Sequence, residues 1–302
     1  MKKKIYLYLC GGLGNQLFQY AAAKNIAIIN DADLIIDTQC GFITDFRDFW
    51  KFSLSIINLK NVTLKKNILV FWLYRIYKKV FGIRKIFNFF LFRNLINEMC
   101  IDHFDEKIKR FNFKNSLYLF GYFQSEKYFV DNKNSIVNEL NPPIPKKNIF
   151  FEMRDKIVNS NSISLGLRLH ETMPQDISYK VGGITPFDFY KKAVTLMLKK
   201  ISNPTFFIFS TSISNVEKLL LDFIEIKKFN IHVITEDKGF KGASDNLWLM
   251  SHCVNHVISN STLYWWAVYL SSFKYKDQKI ICADNFANKD TCLESWKLKN
   301  FK

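Results

Sequence analysis

Cysteine and proline are scarce in the 302-residue sequence, with six of each. No two cysteines form a CxxC pair and their spacing has no regular pattern, which argues against a disulfide framework or a cysteine-ligated metal. We therefore expect the cysteines to be small apolar core residues of a protein in a reducing compartment. This predicts a cytoplasmic protein. The six are Cys10, Cys40, Cys100, Cys253, Cys282 and Cys292.

The N-terminus has some but not all of the features of a secretion signal. Three lysines at residues 2–4 precede an apolar stretch. The glycine, asparagine and glutamine residues between 11 and 16 then interrupt the apolar core of roughly 7 to 15 residues that such a signal requires. We therefore expect residues 5–9 to form a strand of the mature protein.

Acidic residues are outnumbered, 27 against 43 lysines and arginines, which gives a formal net charge of +16. This charge predicts an anionic partner, which could be a nucleic acid, an acidic lipid surface or a phosphorylated small molecule. No RNP-like, helix-turn-helix or zinc-finger pattern accompanies the charge. A non-catalytic binder of nucleic acid or membrane is therefore kept only as an alternative.

The stretch between Asp48 and Glu98 contains no acid but ten basic residues, interleaved with aromatic ones. Wound as a helix over about 65–97, it places most basic residues opposite the apolar ones. Its longest uncharged run is far shorter than the roughly 20 residues of a membrane span. The segment predicts either a basic amphipathic helix on an anionic membrane or a core-facing helix with a solvated basic face.

Strands and helices alternate along most of the chain. A strand, a glycine-containing loop, a helix at 15–30 and a strand at 34–37 form a βαβ opening, and the second half repeats the alternation. The stretch at 138–148 holds three of the six prolines and is the candidate linker. We predict an α/β protein with two Rossmann-like domains, 1–145 and 146–302, that face a cleft.

The glycine loop, LCGGLGNQLFQYAAA from Leu9, suggests a nucleotide site. It does not match the common fingerprints: a dinucleotide loop starting at Gly12 would need Gly or Ala where Leu17 stands. The Gly-Lys-Ser/Thr of a Walker A motif is also missing. The loop alone therefore leaves the ligand open.

Two pairs of residues resemble metal ligands without completing a motif. Asp31 and Asp33 have the DxD spacing of metal-dependent sugar transferases, but they precede a strand, which favours a turn. His252 and His256 lack the glutamate of HExxH, which favours packing residues over zinc ligands.

Two positions in the second half could hold a phosphorylated ligand. Arg168 ends an apolar strand, where open α/β sheets place their ligands, and could hold a diphosphate through paired hydrogen bonds or form a structural salt bridge. Further along, a strand ends at Ser259 and a helix begins near Thr262. Asn260, Ser261 and Thr262 would therefore occupy an N-terminal turn that favours an anion.

Three blocks of the sequence resemble one known family. They occur in the family's order and span most of the chain: GGLGNQLFQYAAA from Gly11, GYFQSEKYF from Gly121 and LWLMSHCVNHVISNSTLYWWAVYL from Leu247. The sequence is similar to the α1,2-fucosyltransferases of glycosyltransferase family 11. The resemblance implies two domains of the GT-B type, a GDP-fucose donor held mainly by the C-terminal domain, no required metal and inversion at the fucose anomeric carbon.

The family's HxRRxD pattern is partly present, at residues 166–171. Gly166 replaces the histidine, Leu169 replaces the second arginine, and Arg168 and the acid Glu171 remain. The resemblance implies that Arg168 binds the donor diphosphate, that Asn15 faces the cleft, and that an acid before the Leu-Met-Ser block contacts the nucleotide base. The predicted binding residues are Gly12, Gly14, Asn15, Gln16, Arg168, Asp245, Asn260, Ser261 and Thr262, and the predicted catalytic residues are Arg168, Glu171 and Asn15.

We therefore predict an inverting, metal-independent glycosyltransferase without a cofactor, which moves L-fucose from GDP-fucose to the 2-hydroxyl of a galactose in a surface polysaccharide. Glu171 and Asp37 both follow strand ends, so either could be the general base, unless late deprotonation needs none. The acceptor would be a lipid-linked oligosaccharide at the inner face of the cytoplasmic membrane. Another nucleotide sugar used by the same fold is the alternative.

Overall fold

Two compact units make up the chain, Met1–Leu140 and Asn141–Lys302, so that it divides inside the proline-containing stretch at 138–148. Each unit contains a parallel sheet of five described strands. The prediction of an α/β protein with two parallel sheets is confirmed. The computed structural model describes residues 2–42, 53–54, 59–66, 68–73, 76, 94–98, 102–169 and 182–301.

The first sheet is assembled from strands that are far apart in the sequence. Its strands are β1 (Lys3–Tyr8), β2 (Ala32–Asp37), β3 (Val62–Lys65), β4 (Leu95–Asn97) and β5 (Ser116–Phe120). They lie in the order β3-β2-β1-β5-β4, so the direction of winding reverses between β1 and β5. The helices of this unit are α1 (Leu13–Ile29), α2 (Glu106–Lys109) and α3 (Lys133–Glu139).

Helix α1 is buried on nearly all sides. Gly11 has φ +77°, and Gly12 then caps the helix in an extended conformation. From Leu13 to Ala27 the helix is buried except at Asn15. The small apolar side chains of the alanine run at its middle suit this enclosed position.

The second unit repeats the alternation that the sequence predicts. Its strands are β6 (Asn161–Gly166), β7 (Pro204–Phe209), β8 (Asn230–Ile234), β9 (Asn255–Ile258) and β10 (Ile280–Cys282). Its helices are α4 (Asn148–Val158), α5 (Phe187–Leu198), α6 (Ile213–Asp222), α7 (Ala243–Met250) and α8 (Thr262–Ser271). The strand order β8-β7-β6-β9-β10 is the Rossmann order 3-2-1-4-5 within this unit.

Helix α8 is buried from Tyr264 to Ser271. The rings of Trp265 and Tyr269 stack with centroids 4.6 Å apart. The indole N–H of Trp265 donates to the carbonyl of Thr291 at 2.8 Å, so the one polar atom of this large side chain is paired. This packing fixes the position of the helix whose first turn carries Ser261.

The predicted basic helix at about 65–97 lies mostly outside the described residues. Within it, residues 69–73 are helical, and Phe71 is fully buried with its ring 5.2 Å from that of Tyr8. Across the described ranges, no helix has the length and apolar character needed to cross a membrane.

Cysteines behave as predicted wherever the structure describes them. Each of the five is buried with a free thiol, which confirms their assignment to the core; they are Cys10, Cys40, Cys253, Cys282 and Cys292. Cys100 lies outside the described residues.

Candidate functional site

The second sheet has a topological switch point between β6 and β9. Gly166 of β6 is opposite Ile258 of β9, and the amide of Ser259 donates to the Gly166 carbonyl at 3.1 Å. Open α/β sheets bind ligands outside the carboxyl ends of the strands at this point, because the connections there diverge to opposite faces. The residues that follow β6 and β9 are therefore the first candidates for ligand binding.

Arg168 follows β6 by two residues and is half-buried. The chain is held in place up to this point, since the Leu167 amide donates to the Phe209 carbonyl at 2.8 Å and Leu167 is fully buried. Among the residues that the structure describes, the Arg168 guanidinium has neither a hydrogen bond nor an ion pair. A partly desolvated cation at a switch point can bind an anion bidentately.

The N-terminus of α8 follows β9 at the same edge of the sheet. Ser261 is the N-cap, and its hydroxyl accepts from the Tyr264 amide at 3.5 Å. Ser261 and Thr262 are both half-buried, so the first turn keeps some access to solvent. The backbone N–H groups and the dipole at a helix N-terminus favour a negative charge.

Asn260 is engaged with the protein itself. Its side-chain amide donates to the carbonyls of Gly183 and Asn285 at 2.9 and 3.0 Å. Both amide hydrogens are therefore used within the protein. The sequence predicts that Asn260 binds a phosphate; the structure places its side chain between two loops, and the binding role stays a prediction.

The glycine at the first position of the HxRRxD pattern has a structural cause. A Cβ on Gly166 would lie 2.6 Å from Cδ2 of Tyr264, so the Tyr264 ring occupies the space that a side chain at 166 would need. The Tyr264 hydroxyl donates to the Phe209 carbonyl at 3.2 Å, which joins α8 to β7. Position 166 therefore holds glycine because Tyr264 covers the end of β6.

Asp245 lies in the first turn of α7, which follows the edge strand β8. It is half-buried, and this burial raises the pKa of its carboxyl while Lys147 opposes the rise. Its neighbour Asn246 instead holds the preceding turn, with its amide donating to the carbonyls of Phe240 and Gly242, both at 2.9 Å. Of the two residues, Asp245 has the carboxylate available for a ligand.

The first sheet has its own switch point, between β1 and β5. Asn15 follows β1, Gln124 follows β5, and the Gln124 amide donates to Asn15 Oδ1 at 2.9 Å. The two sequence blocks that begin at Gly11 and Gly121 therefore meet here. Asn15 is half-buried, whereas Gly14 beside it is buried and Gly12 is the helix cap.

Gln16 holds the glycine loop together from inside. Its amide donates to the Gly11 carbonyl at 2.7 Å and its oxygen accepts from the Ser53 amide at 2.9 Å. The side chain is fully buried. The sequence predicts a substrate contact for Gln16, and the structure places its polar atoms on backbone groups.

Of the two candidate bases, Asp37 binds backbone amides of its own unit. Its carboxylate is fully buried and accepts backbone amides of Gln39, Cys40 and Ile68 at 2.9, 2.6 and 2.7 Å. A carboxylate enclosed in this way does not reach a substrate hydroxyl. Glu171 lies outside the described residues.

The two metal-like pairs have structural positions. Asp31 lies in a turn with φ +46°, and Asp33 pairs with Lys2 at 2.9 Å. His252 follows α7, whereas His256 lies in β9, fully buried, with its Nδ1 2.7 Å from the Ser164 hydroxyl. Burial lowers the pKa of His256 to about 3, which keeps the ring neutral, and both pairs belong to the scaffold.

Comparison with known proteins identifies the class. The chain belongs to glycosyl transferase family 11, whose family model matches residues 4–300. The protein is a glycosyltransferase.

Two curated proteins of Escherichia coli are similar over nearly their whole length. The alpha-1,2-colitosyltransferase is 26% identical over 273 residues, which cover 88% of this chain and 87% of the relative. The O-antigen biosynthesis glycosyltransferase WbnK is 26% identical over 284 residues, which cover 90% and 92%. Among solved structures, POFUT1 in complex with GDP is 11% identical, with a TM-score of 0.49 over 93% of this chain and 98% of that one.

Proposed function

We propose that the protein transfers L-fucose from GDP-fucose to the 2-hydroxyl of a galactose in a surface polysaccharide, with inversion and without a metal ion. The family membership supports sugar transfer. The similarity to an alpha-1,2-colitosyltransferase and to an O-antigen biosynthesis glycosyltransferase supports the linkage and the class of acceptor.

One observation carries the donor site. Arg168, whose guanidinium has no partner among the described residues, and the start of α8 at Ser261 follow the two strands that flank the switch point of the second sheet. In the proposal, Arg168 binds the diphosphate with two N–H groups while the first turn of α8 faces it with backbone amides. The carboxylate of Asp245 would accept N–H groups of the nucleotide base.

The chemistry requires stabilisation of the departing nucleoside diphosphate. The acceptor oxygen forms a bond to the anomeric carbon from the face opposite the leaving group, and the bond to the phosphate oxygen breaks, which leaves its electron pair on the diphosphate. The added negative charge strengthens the contacts to Arg168 and to the α8 amides, so they stabilise the transition state more than the bound donor.

The acceptor hydroxyl must also lose its proton. Since Asp37 is enclosed by backbone amides, Glu171 is the remaining base of the two that the sequence suggests. Asn15, at the switch point of the first sheet, would contact a substrate from that unit. A lipid-linked acceptor at an anionic membrane is part of the proposal and would explain the basic segment at about 65–97.

A second donor is favoured by one relative. Because an alpha-1,2-colitosyltransferase is 26% identical to this chain, an activated colitose is the alternative sugar. The two donors are separated by the rise in unfolding temperature that each produces, since a ligand that binds only the folded state stabilises by mass action.

The test is transfer itself. Purified full-length protein is incubated in chelator with GDP-fucose and a set of β-galactosyl acceptors, and the product linkage and anomeric configuration are read by NMR. We expect an α1,2-linked fucoside with the wild-type protein and about 10² to 10³ times slower formation with Arg168→Ala. Transfer that is unchanged by the substitution would remove Arg168 from the mechanism, and transfer only from another nucleotide sugar would replace the donor.

A further inference from the structure

Three loops at the carboxyl edge of the second sheet are joined by one cluster of polar side chains. We define the amide cluster as Thr185, Asn260 and Asn285, together with the turn at Gly182 and Gly183 that they bind. Thr185 precedes α5, Asn260 follows β9, and Asn285 follows β10. The cluster therefore ties together segments that are up to 103 residues apart in the sequence.

The hydrogen bonds of the amide cluster are complete. Asn260 donates to the Gly183 carbonyl at 2.9 Å and to the Asn285 carbonyl at 3.0 Å. Asn285 donates to the Gly182 carbonyl at 2.9 Å. The Thr185 hydroxyl lies 3.1 Å from Asn285 Oδ1 and 3.3 Å from Asn260 Oδ1, so its single hydrogen is shared between the two amides.

The turn at Gly182 is fitted tightly to this cluster. Gly182 has φ +100°, which L side chains rarely adopt, and a Cβ on it would lie 1.6 Å from the Asn285 carbonyl oxygen. Any other residue would therefore push the turn away from Asn285. Thr185 and Asn260 are buried and Asn285 is half-buried, so breaking the hydrogen bonds of the two buried side chains is costly.

We propose that Thr185 and Asn285, acting through Asn260, are positioning residues for the donor diphosphate. This inference rests on the proposed function, because it assumes that the diphosphate lies at the start of α8. Asn260 immediately precedes the N-cap Ser261, so the cluster holds the peptide that leads into the first turn of that helix. The Asn260 side chain thus acts on the site without touching the ligand.

The test compares two buried threonines, one inside the amide cluster and one outside it. Thr185 and Thr291 are 1% and 0% exposed. The Thr291 hydroxyl donates to the Asn288 carbonyl at 2.9 Å, and the Thr291 carbonyl accepts from the Trp265 indole of α8. Thr291→Val is therefore a control that removes one buried hydrogen bond near α8 without changing a residue of the amide cluster.

The dissociation constants of GDP and the kinetics are measured on the full-length protein, well below the unfolding temperature. We expect Thr185→Val to weaken GDP binding and lower donor kcat/KM by roughly 5- to 10-fold, as for one lost hydrogen bond. The acceptor KM should stay within about twofold, a range small against the roughly fivefold loss from one hydrogen bond. Thr185→Ser, which keeps the hydroxyl, should restore GDP binding, and Thr291→Val should not weaken it.

Each other outcome decides between the two proposals. If Thr185→Val binds GDP as tightly as Thr291→Val does, or if Thr185→Ser fails to restore binding, the positioning role is overturned and the proposed function stands. If the wild-type protein binds UDP, CDP or ADP instead of GDP, the donor is replaced and the same variants are compared with that nucleotide. A wild-type protein that binds no nucleoside diphosphate and no pyrophosphate overturns both.

Discussion

The carboxyl edges of the two sheets use their polar side chains in opposite ways. In the first unit, Asp37 accepts three backbone amides, Glu98 accepts those of Tyr122 and Phe123 at 2.9 Å each, and Gln16 bridges the glycine loop. In the second unit, Arg168 has no partner among the described residues. The named acids and Gln16 of the first edge are satisfied by the backbone, whereas Arg168 of the second edge is the cation that we propose for the ligand.

This contrast distinguishes side chains that hold loops in place from the charged side chain of Arg168. The buried acids of the first edge fix loops whose amides would otherwise be unpaired, so removing them exposes the cost of burying a polar group. Removing Arg168 breaks no hydrogen bond or ion pair within the part of the chain that the structure describes. Substitutions at the first edge should therefore cost stability, and the substitution at Arg168 should cost activity.

Arg168→Ala is the largest expected effect and the sharpest test of the contrast. We expect kcat/KM for the donor to fall about 10² to 10³-fold, because fixed donors that face a developing charge contribute about this much. The midpoint of urea unfolding should stay near the wild-type value. Arg154→Ala is the control, since Arg154 is half-buried and pairs with the exposed Asp155; it should change neither quantity by more than a surface ion pair does.

Asp37→Ala should produce the opposite result. It leaves three backbone amides without an acceptor in a buried loop, and we expect a loss of about 3 kcal/mol in the free energy of unfolding. The control is Asp33→Ala, whose partner Lys2 is exposed, so that its surface ion pair contributes at most about 1 kcal/mol. Equal losses for the two variants would show that the first edge does not depend on Asp37.

A buried histidine below the carboxyl edge of the second sheet should make the free energy of unfolding fall in acid. His256 lies in β9, the strand that leads to Ser261, and burial lowers its pKa to about 3 from its ordinary 6.5. The unfolded chain therefore binds the proton first, and stability is lost as the pH falls from about 6.5 towards 3. Between pH 7 and pH 5 this one group should cost about 2 kcal/mol.

Urea unfolding at pH 7, 6 and 5 measures this loss. The carboxyl groups titrate in wild type and in His256→Gln alike, so their contribution to the pH dependence cancels when the two proteins are compared. The change in the free energy of unfolding with pH should be smaller in His256→Gln, by up to about 1.4 kcal/mol per pH unit. His252, whose pKa is lowered to about 4 by burial, acts in the same direction in both proteins. Identical slopes would show that the pKa of His256 is the same in the folded and unfolded states.

Much of the fold could be predicted because the alternation of apolar and polar residues indicates which positions are buried, and turn residues indicate where elements end. The apolar strand that the sequence predicts to end at Arg168 ends at Gly166 in the structure, because Leu167 and Leu169 continue to pack against the core after the strand pairing has ended. Periodicity indicates burial but does not indicate where pairing stops. In the same way, the sequence places Gln16 in the glycine loop but does not show which groups its amide binds.

The amide cluster was not predictable from the sequence. Thr185 and Asn285 are ordinary loop residues in sequence, and only the strand order brings them beside Asn260. Asn246 illustrates the same point, because its amide holds a turn while the adjacent Asp245 faces outward from it. Sequence blocks locate a site to within a loop, and contacts between loops then divide ligand-facing from loop-holding residues.

Substitutions at the contact between Asn15 and Gln124 should give the smallest effect. They test whether all polar side chains at the first edge bind only groups of the protein. The Gln124 amide donates to Asn15 Oδ1 at 2.9 Å between two half-buried side chains. We expect Asn15→Ala and Gln124→Ala each to lower the free energy of unfolding by about 1 kcal/mol, with a coupling of about 0.5 to 1 kcal/mol in the double variant. If Asn15 also contacts a substrate, Asn15→Ala should lower kcat/KM further than Gln124→Ala does, whereas equal kinetic losses would limit Asn15 to holding the two loops together.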